Sequence, residues 1–332
     1  MKKTIFIGMN IPDEIAAKYK DEFNLVYPAA GARFSPEEMM EKLSEAHGYL
    51  GGLLNRDMID KVKNLEIACS FGAGFDGIDH RYAGEKGIWV MNAPHATTKP
   101  TAELTITLML CLSRRIFNLS NHMRKVGSCA GPGPFAGSID SAPGPTPVHG
   151  KTLGIIGFGK IGKEVAKRAK GLDMDVIYYD IFRASEDVEK ELGVKFASFE
   201  EVLKTADFVT IHSLYDPQTN HHMIGAEQFS MMKPTAYFIN CARGKLMDEQ
   251  ALIDAIKSKK ILGAALDVYE FEPKVTPELF ELEEVVITPH IGTVTREDRL
   301  GMATEALNGI SAQLRGDGSP TIVNREYYKP KQ

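Results

Sequence analysis

The sequence predicts an α/β protein built from two doubly wound parallel sheets, and three observations carry that reading. Short apolar runs alternate with helical patterns along nearly the whole chain, as they do when parallel strands are joined by helices. The alternation comes in two series, parted by a stretch rich in Gly, Pro and Ser at residues 127–150. At 332 residues the chain exceeds one ordinary core and suits two domains.

In the first series the candidate strands are residues 4–8, 24–27, 49–54, 65–70 and 88–92. Between them, Ser35-Pro36-Glu37-Glu38 reads as a helix start, with Ser as the cap, Pro in the first turn and Glu favourable to the dipole. The most apolar stretch, residues 104–112, is bounded by Glu103 and Arg114-Arg115 and is far shorter than a membrane span, so it reads as a buried helix. Residues 127–150 read as a long loop or arm. The second series begins at Lys151, with strands expected at 153–156, 176–179, 208–211, 236–239, 264–268 and 285–288. Residues 296–314 have a helical pattern, and the last dozen residues look extended.

Composition narrows the function classes. Hydrophobic residues make up 43% and charged residues 25%, the balance of a globular protein. A formal net charge of −5 leaves no electrostatic footprint for nucleic acid or an anionic membrane. Cys69, Cys111, Cys129 and Cys241 stand far apart with no CxxC pair, which argues against a disulfide framework or a zinc site. The first apolar run stops at Asn10-Ile11-Pro12 and reads as a strand, not a signal peptide. A cytoplasmic location, no nucleic-acid partner and no membrane partner are therefore expected. His221-His222 offers two neighbouring imidazoles without a third ligand in the sequence, so no metal is expected.

The sharpest motif is Gly157-Phe158-Gly159-Lys160-Ile161-Gly162, after an expected strand and opening an expected helix. In that setting the first glycine makes a tight turn, the second lets the backbone approach a pyrophosphate, and the third lets helix and strand pack closely. Phosphates would sit on the free N–H groups of the helix N-terminus. Asp180 follows the next strand, where a carboxylate takes both ribose hydroxyls and repels a 2′-phosphate. NAD is therefore the expected cofactor, with Arg183 close by keeping NADP open.

Three later segments place charged or titratable groups at strand ends: Arg243 in Asn240-Cys241-Ala242-Arg243-Gly244, Glu272 in Glu270-Phe271-Glu272-Pro273, and His290 in Thr288-Pro289-His290-Ile291-Gly292. Reducing a 2-keto acid needs a cation to hold the carboxylate and polarise the carbonyl, and a proton donor for the developing alkoxide. It also needs a carboxylate to orient and charge the imidazole. Singly, each of the three reads equally well as a surface ion pair, a solvated loop residue or a satisfied histidine. Beside a dinucleotide loop they read as one set. Glu270 lies two residues from Glu272 and could exchange roles with it, although the spacing to Pro273 favours Glu272.

These motifs together resemble the D-isomer-specific 2-hydroxyacid dehydrogenase family over nearly the whole chain. The glycine motif with Asp180 resembles the family's cofactor signature. Ile211-His212-Ser213-Leu214-Tyr215-Asp216-Pro217-Gln218-Thr219 resembles its second signature, and Asn240-Cys241-Ala242-Arg243-Gly244 with Asp248-Glu249 its third. The resemblance implies Arg243, Glu272 and His290 as the catalytic set, Arg243 and His290 also touching substrate. It implies that Asp267 holds the nicotinamide amide. Thr101, His212, Ser213, Pro217, Thr219, Cys241, Ala242 and Gly292 would line the cofactor with the glycine motif. The N–H groups of Ala73 and Gly74, in Gly72-Ala73-Gly74-Phe75-Asp76, would bind the substrate carboxylate, as Gly-flanked donors can.

The fold so implied is a Rossmann NAD-binding domain at 100–295 and a flavodoxin-like substrate domain at 1–99 with 296–332, with the active site in the cleft and a hinge near Thr101. A homodimer is implied as well. Gly225-Ala226-Glu227-Gln228-Phe229 and the Pro289–Gly292 run bring the likeness nearest to bacterial glyoxylate/hydroxypyruvate and 2-ketogluconate reductases, with D-lactate or another 2-hydroxy acid as alternatives. Two departures stand out. The arm at 127–150 lacks the Trp that many relatives carry there, the only Trp being Trp89, and Tyr215-Asp216 replaces the usual Leu-Thr. The resemblance also reaches nucleotide-sensing co-repressors, but the full Arg–Glu–His set favours turnover. Formate dehydrogenases have Gln where this chain has Glu272.

Overall fold

The computed structural model describes residues 2–127 and 145–331. Most of the expected arm, with Cys129, lies outside the described residues. The chain forms two compact units, Met1–Thr98 with Thr293–Gln332, and Lys99–Gly292.

The first unit holds β1 (Thr4–Ile7), β2 (Asn24–Val26), β3 (Gly48–Leu50), β4 (Ile67–Cys69) and β5 (Trp89–Met91), all paired in parallel in the order β2-β1-β3-β4-β5. That is the flavodoxin-like order. Side-chain alternation along each strand feeds two cores. Ile5, Ile7, Leu50, Ile67, Cys69 and Met91 join one with the C-terminal helix, through Ala303, Ala306, Leu307 and Ile310. Phe6, Tyr49, Ala68 and Val90 join the other with Leu43 and Ile59. The helix Pro36–Ser44 starts as expected, with a reciprocal cap: Ser35 Oγ accepts from Glu38 N–H, and the Glu38 carboxylate accepts from Ser35 N–H at 2.8 Å.

The tail returns to this unit. Val323 N–H donates to Val90 O at 2.8 Å, and buried Asn324 accepts from Val90 N–H while donating to Ile88 O and His80 O. Tyr328 stacks on Trp89 at 3.5 Å. The tail is not extended throughout: Arg325–Tyr327 closes into a 3-10 turn, with Tyr327 N–H bonded to Asn324 O.

The second unit holds β6 (Thr152–Ile156), β7 (Asp175–Tyr179), β8 (Lys195–Phe196), β9 (Phe208–Ile211), β10 (Tyr237–Asn240), β11 (Gly263–Leu266) and β12 (Val285–Ile287), in the order β12-β11-β10-β9-β6-β7-β8. All pairs are parallel. This is the doubly wound dinucleotide-binding order with an added edge strand, and its switch point lies between β6 and β9. The seventh strand is not legible in the sequence because its two residues, both exposed, are too short for any periodicity.

The helix expected at 104–112 runs over His95–Ser113 and contains Pro100. The Glu305 carboxylate accepts from the first two N–H groups, His95 at 3.2 Å and Ala96 at 2.9 Å, so the helix begins ahead of the proline. The boundary between the two units falls inside this helix.

Candidate active site

The glycine loop ends β6 and leads into the helix Lys160–Lys170, which carries Lys160, Ile161 and Gly162 in its first turn. Gly157 has φ +92°, and a Cβ there would lie 2.5 Å from Ser213 N. A Cβ on Gly162 would lie 2.3 Å from Gly157 O, so this glycine lets the helix close on the loop. Gly159 faces nothing within 4 Å. Its open side is where a pyrophosphate can approach the backbone, and the helix N–H groups point the same charge preference at it. Asp180 is fixed by the same loop: Phe158 N–H donates to one carboxylate oxygen at 2.6 Å and Phe182 N–H to the other at 2.9 Å.

His212 directly follows the neighbouring strand β9, with Nε2 3.0 Å from Thr210 Oγ1. Its Nδ1 is buried without a partner, and burial pushes the ring down to about 3, so the imidazole is neutral. An unpaired buried nitrogen beside a glycine cradle fits a site that a bound polar group completes. Pro217 and Thr219 lie in the following turn. Here Asp216 does the capping, its carboxylate accepting from Gln218 N–H at 2.9 Å and its carbonyl from Thr219 N–H at 3.2 Å. An Asp in place of the usual Thr therefore preserves the turn. Cys241 is buried and its thiol is pushed up to about 12 by that burial, which leaves it no nucleophilic character.

His290, Glu272 and Asp267 form one network. His290 Nδ1 is 3.0 Å from a Glu272 oxygen, and Tyr269 N–H donates to the other at 2.9 Å. His290 sits at φ +54°, a left-handed conformation rare for a non-glycine residue. Its N–H bonds to Thr288 O, and the next two N–H groups, Ile291 and Gly292, donate to the Asp267 carboxylate at 2.7 and 2.9 Å. Thr288 Oγ1 donates to Asp267 at 2.7 Å. Asp267 is almost fully buried, and burial pushes its carboxyl up against these three donors. Thr101 Oγ1 and Asp267 Oδ2 both flank the position a Cβ on Gly292 would take, at 3.6 and 3.3 Å.

The ionisation of the pair follows from these contacts. The hydrogen bond to Glu272 raises His290 above the usual imidazole range, against burial and the Arg243 charge. Burial pushes Glu272 up, but His290, the Tyr269 N–H and Arg243 outweigh it and hold the carboxyl low. The His290 side chain is half-exposed, which leaves Nε2 for a reactant.

Arg243 follows β10, where Asn240 ties the turn by accepting from Ala242 N–H and donating to Arg243 O, both at 3.0 Å. Gly244 is needed here: a Cβ would lie 1.9 Å from the Tyr269 carbonyl carbon, so only glycine lets the Arg243 and Glu272 loops touch backbone to backbone.

Glu270 is taken by another histidine. Its carboxylate lies 2.7 Å from His222 Nε2 and accepts from Glu249 N–H at 3.2 Å. Glu249, fully buried, accepts in return from Glu270 N–H at 2.9 Å. The expectation that His221-His222 lacks a third metal-type ligand is corrected by the fold, which brings Glu270 within 4.8 Å of both. His221 Nδ1 meets the Tyr215 hydroxyl at 3.2 Å. Tyr269, Thr288 and Gly244 were not singled out by sequence reasoning. Only Gly244 had a visible signal, as a glycine directly after the arginine.

Ala73 and Gly74 belong to the first unit, after β4. Asn92 Nδ2 donates to Ala73 O at 2.7 Å and Ser70 Oγ to Gly74 O at 2.6 Å. With both carbonyls held, the loop is fixed by its acceptors.

A glycine loop opening a helix at the switch point, with the Asp180 carboxylate beside it, marks a dinucleotide-binding α/β domain. Comparisons with known proteins make that class specific. The profile described as D-isomer specific 2-hydroxyacid dehydrogenase, NAD binding domain, matches residues 106–292. A provisionally named 2-hydroxyacid dehydrogenase of Staphylococcus epidermidis is 42% identical over 327 residues, covering 96% of this chain and 99% of that protein. A glyoxylate reductase from Paecilomyes thermophila superposes with a TM-score of 0.86 at 28% identity, covering 98% and 99% of the two chains. The Rhodotorula graminis D-mandelate dehydrogenase superposes at 0.84 and 28%, covering 97% and 98%. The chain belongs to the D-isomer-specific 2-hydroxyacid dehydrogenase family, whose members are NAD-dependent oxidoreductases.

Proposed function

We propose that the protein reduces a small 2-keto acid, of the glyoxylate or hydroxypyruvate type, to the D-2-hydroxy acid with NADH. The observation that carries this reading is the His290–Glu272 pair at 3.0 Å, on the loop that Asp267 pins, in the field of Arg243. When bound, NADH supplies the hydride. Arg243 holds the substrate carboxylate and polarises the keto oxygen with its planar fork. His290, kept protonated by Glu272, gives its Nε2 proton to the developing alkoxide and takes it back in the oxidative direction. Asp267 receives the nicotinamide amide while holding the His290 loop. The Ala73 and Gly74 N–H groups are assigned to the substrate carboxylate, in a substrate domain read as 1–99 with 296–332 beside an NAD domain read as 100–295.

Likeness to a glyoxylate reductase supports a small acid, while the likeness to a D-mandelate dehydrogenase keeps bulkier acids in the test. NADH oxidation against glyoxylate, hydroxypyruvate, pyruvate, 2-ketogluconate and phenylpyruvate is expected to give fastest turnover with the first two. Faster turnover of phenylpyruvate would reject the small-acid assignment. Silence across the panel with tight NADH binding would favour a sensing scaffold.

A homodimer is proposed from the helix Ile116–Val126, in which no residue is buried. Ile116, Phe117, Met123 and Val126 are all about half-exposed, an apolar face that a second copy of the chain would cover. Light scattering at the monomer mass would remove this part. No helix among the described residues is long and apolar enough to cross a membrane. A cytoplasmic placement is proposed from the four widely spaced cysteines.

A further inference from the structure

The loop after Asp180 holds a feature that bears on the choice between NADH and NADPH. Ile181 and Phe182 are exposed and uncharged, so Arg183 is the first cation past the ribose carboxylate, and the only Lys or Arg between Asp175 and Lys190. An arginine in this neighbourhood can take a 2′-phosphate. Here one edge of its fork is taken and its direction set. Arg183 Nε and Nη2 each donate to a Glu189 oxygen at 2.9 Å, a bidentate pair that uses the geometry a phosphate would use on that edge.

Glu189 is itself fixed. The Tyr178 hydroxyl donates to it at 2.7 Å, and Ala184 N–H donates to that hydroxyl at 3.0 Å. Tyr178 is fully buried and stacks on Phe158 of the glycine loop at 3.8 Å. The Phe196 ring lies 5.4 Å from the Arg183 guanidinium and holds it from another side. The Glu189 side chain is only 12% exposed, so it cannot easily swing away with the arginine.

We propose that Glu189 is a specificity-determining positioning residue, holding Arg183 off the adenosine ribose so that no cation meets a 2′-phosphate. Refusal of NADP then rests on two carboxylates with different tasks: Asp180 repels the phosphate, and Glu189 withholds its partner. The inference rests on the reading of Asp180 as the ribose-binding carboxylate, and the test separates the two.

NADH and NADPH dissociation constants, read by nucleotide fluorescence on the intact protein, are compared across four variants. Asp180→Ala should narrow the preference for NADH. Adding Glu189→Gln, which keeps an oxygen for Tyr178, should tighten NADPH by about a further tenfold, one charge-assisted contact, with NADH unmoved. Adding Arg183→Ala to that double variant should abolish the gain. The variant Asp180→Ala/Arg183→Ala, with Glu189 intact, should bind NADPH within about twofold of Asp180→Ala, because a held arginine contributes nothing to lose. A tenfold loss there would mean Arg183 already reaches the phosphate, and would overturn the proposal without relying on the Glu189 variant. Equal NADPH affinity in Asp180→Ala and Asp180→Ala/Glu189→Gln would also overturn it. An unchanged NADH/NADPH ratio in Asp180→Ala would reject the ribose assignment, and the latch with it.

Discussion

Two glutamates two residues apart, Glu270 and Glu272, each meet a histidine, and the two pairs differ in what surrounds that contact. Both histidines have left-handed backbones, His222 at φ +53° and His290 at φ +54°. Glu270 is 2.7 Å from His222 and Glu272 is 3.0 Å from His290. Around Glu270 the remaining capacity goes into the fold: its second oxygen accepts from Glu249 N–H, and its own N–H goes back to the Glu249 carboxylate. Around Glu272 the remaining contacts act on charge. Arg243 lies in the field of both partners, Asp267 adds to the raising of His290, and the His290 side chain stays half-exposed. A carboxylate–imidazole contact alone therefore does not mark a candidate proton donor; its surroundings single out the His290 pair as the one to test.

Substitution should split the pairs most widely at the histidines. His290→Gln is expected to lower the turnover of 2-keto acid reduction by about a thousandfold, the usual contribution of a positioned general acid, with NADH affinity near wild type. His222→Gln should stay within about threefold in turnover, since its ring bonds to a carboxylate the chemistry does not use. Equal losses in steady-state assays would erase the distinction. Arg243→Ala should follow with about a hundredfold or greater loss in kcat/KM, split between KM and kcat because the cation serves both binding and polarisation. Unchanged kinetics would remove it from the site.

The sequence already contained most of this site, and what it lacked is instructive. The Gly157–Gly162 motif, Asp180, Arg243 and His290 were legible because each stands at a strand end next to turn residues, and local order fixes that placement. The choice of Glu272 over Glu270 rested on the resemblance and the spacing to Pro273, while the contacts behind it stayed hidden, because they depend on which histidine each meets across 48 and 18 residues of chain. Tyr269 was invisible for a similar reason: it supports Glu272 through a backbone N–H, which no side-chain pattern records. In the fold, the strands buried on both faces were the clearest. The two-residue β8 was lost to its length, and the true start of the helix His95–Ser113 to Pro100, whose breaking tendency is offset by a cap from Glu305 two hundred residues away.

The third split concerns pH. The hydrogen bond from Glu272 raises His290, so its proton is kept above the usual imidazole range and lost as pH rises through the raised value. Reduction, which needs the protonated ring, should hold up to that pH and then fall; oxidation, which needs the neutral ring, should rise there. Glu272→Gln removes the largest cause of the raise, so both limbs should move to lower pH, with turnover down about ten- to a hundredfold. Glu270→Gln should leave both limbs in place. A pH–rate profile that moves equally in the two variants would show that the direct contact to Glu272 is not what sets the ionisation of His290.

The smallest effect expected is on stability, and it should run the opposite way. The Glu270 side chain is only 10% exposed, and its two oxygens serve His222 and the Glu249 N–H. Glutamine can keep its oxygen on the Glu249 N–H, but its amide then faces His222 Nε2, which must switch tautomer to accept, and the charge of the contact is lost. Glu270→Gln should therefore lower the unfolding free energy by about 1–3 kcal/mol, read as a falling denaturation midpoint. Glu272→Gln should lose less, because Glu272 is more than a third exposed and water can replace the lost contact. If Glu272→Gln proved the more destabilising, the pair that sets the proton would also be the pair that holds the loop. The division of labour between the two glutamates would then have to be sought in the charge of Arg243 alone.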